Sequence, residues 1–379
     1  MSGPLSGVRV IELAGLGPAP FCGMILADLG AQVTRVDRMR RPGAGGGQDK
    51  DFLGRGRRSI MVDLKHPEGP GVVRELAASA DVLLEGFRPG VMERLGLGPQ
   101  QLLAAVPTLV YGRMTGWGQS GPLAPSPGHD INYIAVAGAI EPIGRAGGPP
   151  VPPLALVGDF GGGGMLLAMG VCAALVERSV SGQGQVIDAA SIDGASLLMT
   201  VVHSFRAEGA WTDVRGTNLF DSGAPFYDVY QAADGTFVSV GAIEPKFYDA
   251  LVDALGLDRD QMYPQHDRAR WPARKELIAS VFTTRTRAEW AELMAGRDAC
   301  FAPVLTLGEA PAHPHNRERG SFVDVGGDLQ PAPAPRFSRT PTAVPSPSPR
   351  PGQHTDAVLG SSGIPVHRVN ALRQAGVVA

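Results

Sequence analysis

VRVIELAGLGPAPFCGMILADLGAQVTRVD, residues 8–37, decides the fold. Residues 8–13 are rich in β-branched side chains and read as a strand. Gly15-Leu16-Gly17-Pro18 is a turn, and the apolar run 21–29 reads as a helix with Pro18 or Pro20 near its first turn. Gly30 ends that helix, and residues 32–37 form a second strand. Strand, helix and strand in this spacing make a βαβ unit, which seeds a parallel sheet.

The pattern continues outward. Residues 59–64, 81–85, 109–114 and 185–188 read as further strands, with a helix over 67–78 and a glycine-rich loop over 115–121. Helices are predicted over 130–139, 160–180 and 192–205, with a Gly/Pro loop at 144–153. From about residue 225 the texture changes. Residues 227–231 and 237–240 flank Ala233-Asp234-Gly235 as a hairpin, followed by short amphipathic helices over 244–255, 275–282 and 287–294. The stretch 330–352 is proline-rich and expected to run extended, and 354–359 reads as a last short helix. The expected fold class is α/β. A Rossmann-like parallel-sheet large domain over 1–210, completed by 353–379, joins a smaller α+β domain over 225–320. Residues 211–224 and 321–352 are read as linkers.

Composition narrows the function classes. The 379 residues are 44% hydrophobic and 19% charged, ordinary for a globular chain and too apolar for a disordered one. A net charge of −3 argues against a nucleic-acid groove as the main business. No uninterrupted apolar run reaches about 18 residues, so neither a membrane span nor a membrane partner is expected. The three cysteines, Cys22, Cys172 and Cys300, are far apart and odd in number, which excludes a disulfide framework. With no secretory signal at the N-terminus, a reducing, cytoplasmic location is the expectation.

Two glycine-bearing segments invite ligand readings. Gly15-x-Gly17 after a strand, with Asp37 closing the next strand, suggests a nicotinamide dinucleotide site. Position 20 is proline where the third glycine should let helix and strand pack closely, and this counts against that cofactor. The second segment is Gly158-Asp159-Phe160 followed by Gly161-Gly162-Gly163-Gly164. Here Asp159 is placed as the N-cap of an apolar helix. Glycines in a first turn cost stability, so four in a row need a reason, and close approach of a bulky ligand is one. Free amides around Asp159 and Phe160 would offer donors to a developing anion. A third segment, Gly128-His129-Asp130-Ile131-Asn132-Tyr133, puts a histidine at a loop-to-helix junction. Each of these groups also has a plain structural reading, as a cap or a surface histidine. His313-Pro314-His315 lacks companion acids or cysteines, so no metal is expected.

Several motifs occur together in a familiar order. They are PLSGVRVIELAGLGPAPFCGMILADLGAQVTRVDR at 4–38, Arg57-Arg58-Ser59 with Asp63-Leu64-Lys65, Glu85-Gly86-Phe87-Arg88-Pro89-Gly90, and Met92-Glu93-Arg94-Leu95-Gly96. TGWGQSGP at 115–122 and GHDINYIAVAG at 128–138 follow. In these the chain resembles the type III CoA-transferase superfamily over nearly its whole length, most closely the α-methylacyl-CoA racemase branch. The resemblance implies a racemase or epimerase of 2-methylacyl-CoA thioesters that uses no cofactor, CoA being part of the substrate. It implies catalytic roles for His129 and Asp159, with Glu244 contacting the histidine from the small domain of a partner subunit. It implies an interlocked homodimer. Arg38, Lys65, Arg88 and Arg94 are the expected cations for CoA, with Leu64, Glu85, Gly128, Asp130 and Tyr133 also on that ligand. A transferase passing through an Asp159 acyl anhydride, and a protein that only binds acyl-CoA, are the alternatives.

Overall fold

A computed structural model describes residues 2–39 and 50–379. The chain forms two compact units: Met1–Ala137, Leu154–Leu198 and Gly320–Ala379 make the first, and Gly138–Pro153 with Met199–Arg319 the second.

The first unit opens as the sequence dictates. Strand β1 (Arg9–Leu13) leads through Gly17, at φ 66°, into α1 (Pro18–Asp28). Strands β2 (Gln32–Asp37) and β3 (Arg58–Met61) follow, then α2 (Gly69–Ala77), β4 (Val82–Glu85), α3 (Val91–Arg94) and α4 (Pro99–Ala105). After β5 (Val110–Thr115) come α5 (Asp130–Val136) and a π-helical segment, Leu156–Met165, which continues without a break into α6 (Leu166–Ser181). Strand β6 (Val186–Ala190) and α7 (Ser191–Leu198) close this part of the chain. All six strands are parallel and ordered β3-β2-β1-β4-β5-β6. The order reverses between β1 and β4, and the carboxyl ends of strands at such a reversal are where α/β folds place ligands. One face of the sheet buries Ile11, Leu13, Val36 and Ile60 under Leu76, Val358 and Leu372. The other buries Val10, Val33 and Leu84 under Cys22, Leu26, Leu167 and Val171.

The glycine run has a structural cause other than the one expected. A Cβ on Gly162 would sit 2.6 Å from the amide nitrogen of Ala195, and one on Gly194 1.9 Å from the carbonyl oxygen of Gly162. A Cβ on Gly164 would meet the carbonyl oxygen of Pro18 at 2.5 Å. The glycines let the π-helical segment touch the backbones of α7 and α1, so packing inside the fold, rather than a bulky ligand, accounts for them. Asp159 is likewise no N-cap. The cap position is Ala155, and Asp159 lies inside the first turn.

One expectation about membranes needs correction. The continuous helix Leu156–Ser181 is long and apolar enough to cross a bilayer by length and composition, although polar residues interrupt its sequence. Its buried residues, among them Leu167, Ala168 and Val171, pack against α1 and the sheet, as a layer of the α/β unit.

The second unit begins with the loop 138–153 and α8 (Thr200–Ala207). The helix expected over 192–205 is thus two helices, broken at Met199 where the chain passes between units. Strands β7 (Tyr227–Gln231) and β8 (Phe237–Gly241) form the expected hairpin, and β9 (Phe301–Val304) adds to β8. Helices α9 (Pro245–Leu255), α10 (Arg259–Met262), α11 (Trp271–Phe282), α12 (Arg287–Met294) and α13 (Pro314–Arg319) complete it. Its core is aromatic, with Phe226, Tyr248, Phe282 and Trp290 fully buried. Residues 211–224, read as a linker, are packed here. Asn218 is buried, donating to Asp221 at 2.7 Å and accepting from the Thr212 amide at 2.8 Å.

The chain then returns to the first unit. Strands β10 (Phe322–Val325) and β11 (Asp328–Pro331) pair antiparallel within the other expected linker, and α14 (Thr355–Ser361) and α15 (Val366–Gln374) cover the sheet.

Candidate active site

The site is built in the first unit from the loop after β1, the start of α5 and the π-helical segment. His129 is the residue before α5, in extended conformation, and its amide donates to Asn132 Oδ1 at 3.1 Å. Its imidazole is exposed. Asp130, next in the chain, is 7% exposed, and its Oδ2 accepts the Asp159 amide at 2.6 Å. That bond ties the start of α5 to the π-helical turn and thereby brings His129 and Asp159 into one neighbourhood.

The electrostatics show the same proximity. Burial pushes the Asp159 carboxyl up from the usual aspartate range, the Asp130 charge pushes the same way, and His129 opposes them, leaving it at about 6. A carboxyl at that value exchanges a proton near neutrality, as general acid–base work requires. The backbone leaves room for it: a Cβ on Gly17 would come 3.2 Å from Asp159 Oδ2. The glycine turn after β1 therefore fronts a carboxyl, and Phe21 packs edge-on against Phe160 beside it, ring centroids 4.9 Å apart.

The amides do not fall where the sequence suggested. The Asp159 amide is taken by Asp130, and the Phe160 amide donates to the Ala155 carbonyl at 3.2 Å. Neither is free for a developing anion. In the first turn of α5, among the described residues, the amides of Asp130 and Ile131 stay unclaimed. The Asp130 side chain is turned to the Asp159 amide.

Gly128 and Tyr133 form the wall beside His129. The Tyr133 hydroxyl donates to the Gly128 carbonyl, and its ring meets Trp117 edge-on at 4.9 Å. A Cβ on Gly128 would lie 2.7 Å from the Tyr133 ring. Arg88 bears on Tyr133 electrostatically. Arg38, directly after β2, lies over the Phe87 ring at 5.8 Å from its centroid. Arg38, Lys65, Arg88 and Arg94 are all exposed, and among the described residues none of the four is in an ion pair. Leu64 packs against the sheet core. Glu85 is fully buried and accepts from Arg113 Nε at 2.9 Å and from the Phe87 amide at 2.7 Å. The bond to the Phe87 amide fixes the loop that carries Arg88.

Glu244 belongs to the second unit, immediately before α9, and is exposed. Its charge helps hold the Cys300 thiol above the ordinary cysteine range, after burial.

A buried ion pair supports the site and had no sequence signal beyond the arginine-rich run 55–58. Arg57 Nε lies 2.6 Å from Glu12 Oε2 with both side chains wholly buried, and Arg57 also donates to the Pro20 carbonyl in the first turn of α1. The pair fastens β1 to the α1 turn against which Gly163 and Gly164 pack.

Asp130 gives a direct test of the tuning. Asp130→Asn keeps an acceptor for the Asp159 amide and removes the charge. The Asp159 limb of a pH–rate profile is expected to move to lower pH, part of the way back to the usual aspartate range, because burial remains. An unmoved limb would show that the neighbouring carboxylate does not tune Asp159.

Sheet order, switch-point location and a raised carboxyl beside a histidine define an α/β enzyme that moves protons or acyl groups. The chain belongs to CoA-transferase family III, whose model matches residues 5–355. It is 49% identical over 99% of its length to a Mus musculus protein named alpha-methylacyl-CoA racemase, covering 97% of that protein. A Homo sapiens protein of the same name is 47% identical, with 95% of this chain and 93% of that one covered. Among solved structures, a CAIB/BAIF family protein from Brucella suis superposes with a TM-score of 0.80 at 26% identity, covering 96% of this chain and all of that one.

Proposed function

We infer that the chain is a 2-methylacyl-CoA racemase, an isomerase that inverts the carbon next to a thioester carbonyl. The observation that carries the mechanism is the Asp159 carboxyl, raised to about 6, beside His129. The thioester carbonyl acidifies the α-hydrogen. One base takes that proton, the electron pair moves onto the carbonyl oxygen as an enolate, and the second group returns a proton to the opposite face. Inversion needs the two groups in opposite protonation states, reversed for the other direction. The free amides of Asp130 and Ile131 are the donors assigned to the enolate oxygen. One such donor contributes about 3 kcal/mol.

The resemblance to the racemases supplies the rest of the proposal. Glu244 of a second copy orients His129 and stabilises its imidazolium, as a carboxylate does in a triad. Arg38, Lys65, Arg88 and Arg94, with their unpaired charges, take the phosphates and adenine of CoA. Leu64, Gly128 and Tyr133 lie along the pantetheine. Two side-chain bases suffice for the reaction, so the proposal includes no metal and no organic cofactor. Three free cysteines fit a cytoplasmic location.

A homodimer is part of the proposal. Met165, Met169, Val176 and Val180 are exposed along one stretch of helix, a pattern that favours burial against another chain. Light scattering at micromolar concentration is expected to give twice the chain mass, and a monomer would remove the dimer.

The reaction itself is tested by incubating a 2-methylacyl-CoA in D₂O without any acceptor acid. Deuterium is expected at the α-carbon together with conversion of a single epimer into a mixture of both. A persistent acyl adduct on Asp159, with no exchange, would replace the racemase by a transferase.

A further inference from the structure

Where β1, β2 and β3 begin, at the end of the sheet opposite the strands' carboxyl ends, the first unit holds a groove of about 490 Å³ that the proposed reaction does not use. Its construction follows from strand register. Ile11 pairs with Thr34, and Thr34 with Arg58, while Arg9 lies two residues before Ile11. Alternation along β1 and β3 therefore sets Arg9 and Arg58 on the face of the sheet that carries Ile11. On that face α2 and α14 supply Leu76 and Val358 as apolar walls.

The charge in this groove is of one sign. Arg9 and Arg58 are exposed, and among the described residues neither guanidinium has an ion-pair or hydrogen-bond partner. No aspartate or glutamate is among the described residues that line the groove. Asp81, which follows the lining residue Ala80, is occupied by the Arg9 amide at 2.8 Å and by Arg178 at 3.1 Å, and Glu12, which follows Ile11, is paired with Arg57. His354 lines the groove as well, and its Nδ1 accepts the Ser59 amide at 3.2 Å. That bond places the neutral ring's proton on Nε2, a further donor.

Helix ends would oppose an anion here, since α2 and α14 both finish at the groove. Serine hydroxyls blunt them: Ser79 donates to the Leu76 carbonyl at 3.3 Å, and Ser361 and Ser362 to the Val358 carbonyl at 3.0 and 2.9 Å. The serines thus serve the helix ends, and recognition is left to the guanidiniums and the imidazole.

We propose that this groove is a second ligand site, distinct from the CoA site, for a small organic anion whose carboxylate sits on Arg9 and Arg58 and whose apolar body lies on Ile11, Leu76 and Val358. Guanidinium pairs suit a planar carboxylate in two-point contact, and the apolar walls select against a bare inorganic anion.

The test uses the full chain with saturating CoA, so that the catalytic pocket is filled. Calorimetric titration compares hexanoate, hexan-1-ol and inorganic phosphate. Hexanoate is expected to bind saturably, at least tenfold more tightly than either of the others. The double variant Arg9→Gln/Arg58→Gln is expected to lose at least tenfold in hexanoate affinity with its α-proton exchange rate unchanged, and Arg9→Lys/Arg58→Lys to recover part of the loss. Unchanged exchange also shows that the variants fold. Equal binding of phosphate and hexanoate, hexanoate affinity untouched by the double variant, or hexanoate binding seen without CoA and lost when CoA saturates the chain would each overturn the site.

Discussion

Asp159→Asn and His129→Ala are each expected to slow racemisation by about a hundredfold or more, the usual contribution of a positioned acid or base. The informative readout is the epimer. With one base removed, the remaining base still reaches the face it serves. Each variant should then wash deuterium into only one epimer of the substrate, with retention, and the two variants should prefer opposite epimers. Exchange of both epimers at the wild-type rate in either variant would break the two-face scheme. Asp159→Asn also carries a stability signature. Asp159 is held at about 6 in the folded chain, mainly by burial, against an ordinary value of about 4 when unfolded. The native state therefore holds that proton longer, and its stability falls as pH rises from about 4 to about 6, then levels off. The amide of the variant has no proton to lose. The melting temperature of Asp159→Asn relative to the native chain is expected to rise across that window and stay constant above it. A difference that stays flat throughout the same window would mean that Asp159 titrates normally.

Arg57→Leu is expected to be the most destabilising single change. It leaves Glu12 wholly buried without its cation, and breaking a buried pair from one side costs about 3–5 kcal/mol. That is a large fraction of the roughly 5–15 kcal/mol that holds a typical domain. Urea denaturation reads the loss. Replacing both partners, Arg57→Met with Glu12→Met, should recover most of it, because two apolar side chains leave no orphan charge. The double variant also separates fold from function: stability returns, while the α1 turn loses its bond from Arg57 to Pro20. If the double variant is as unstable as the single one, the cost lies in packing and not in charge.

The βαβ opening was legible because its signals are local. Strand β2 runs over the predicted residues, and Gly17 and Gly30 take the positive φ their turns require. The hairpin of β7 and β8 was legible for the same reason. The candidate bases were found from motif resemblance, and their neighbourhood came from the structure. What failed was non-local. The glycine run could not announce that its partner is the backbone of α7, further along the chain. The amides of Asp159 and Phe160 looked free in sequence because nothing there shows that Asp130 reaches one of them. Nothing in the sequence signals that Glu85 pairs with Arg113 on the neighbouring strand. Residues 211–224 read as a tether because their polar composition hides an asparagine that organises them from inside.

The chain passes between its two units four times, after Ala137, Pro153, Leu198 and Arg319. Neither unit is therefore a continuous stretch of gene. No single truncation delivers either one intact, and a nick at any one crossing leaves part of the first unit on both pieces. Recombination between relatives cannot exchange the second unit as a cassette. The shortest continuous piece that holds all of it also carries Leu154–Leu198, and Asp159 with it, while His129 stays behind with the recipient. Such a hybrid draws its two bases from different parents.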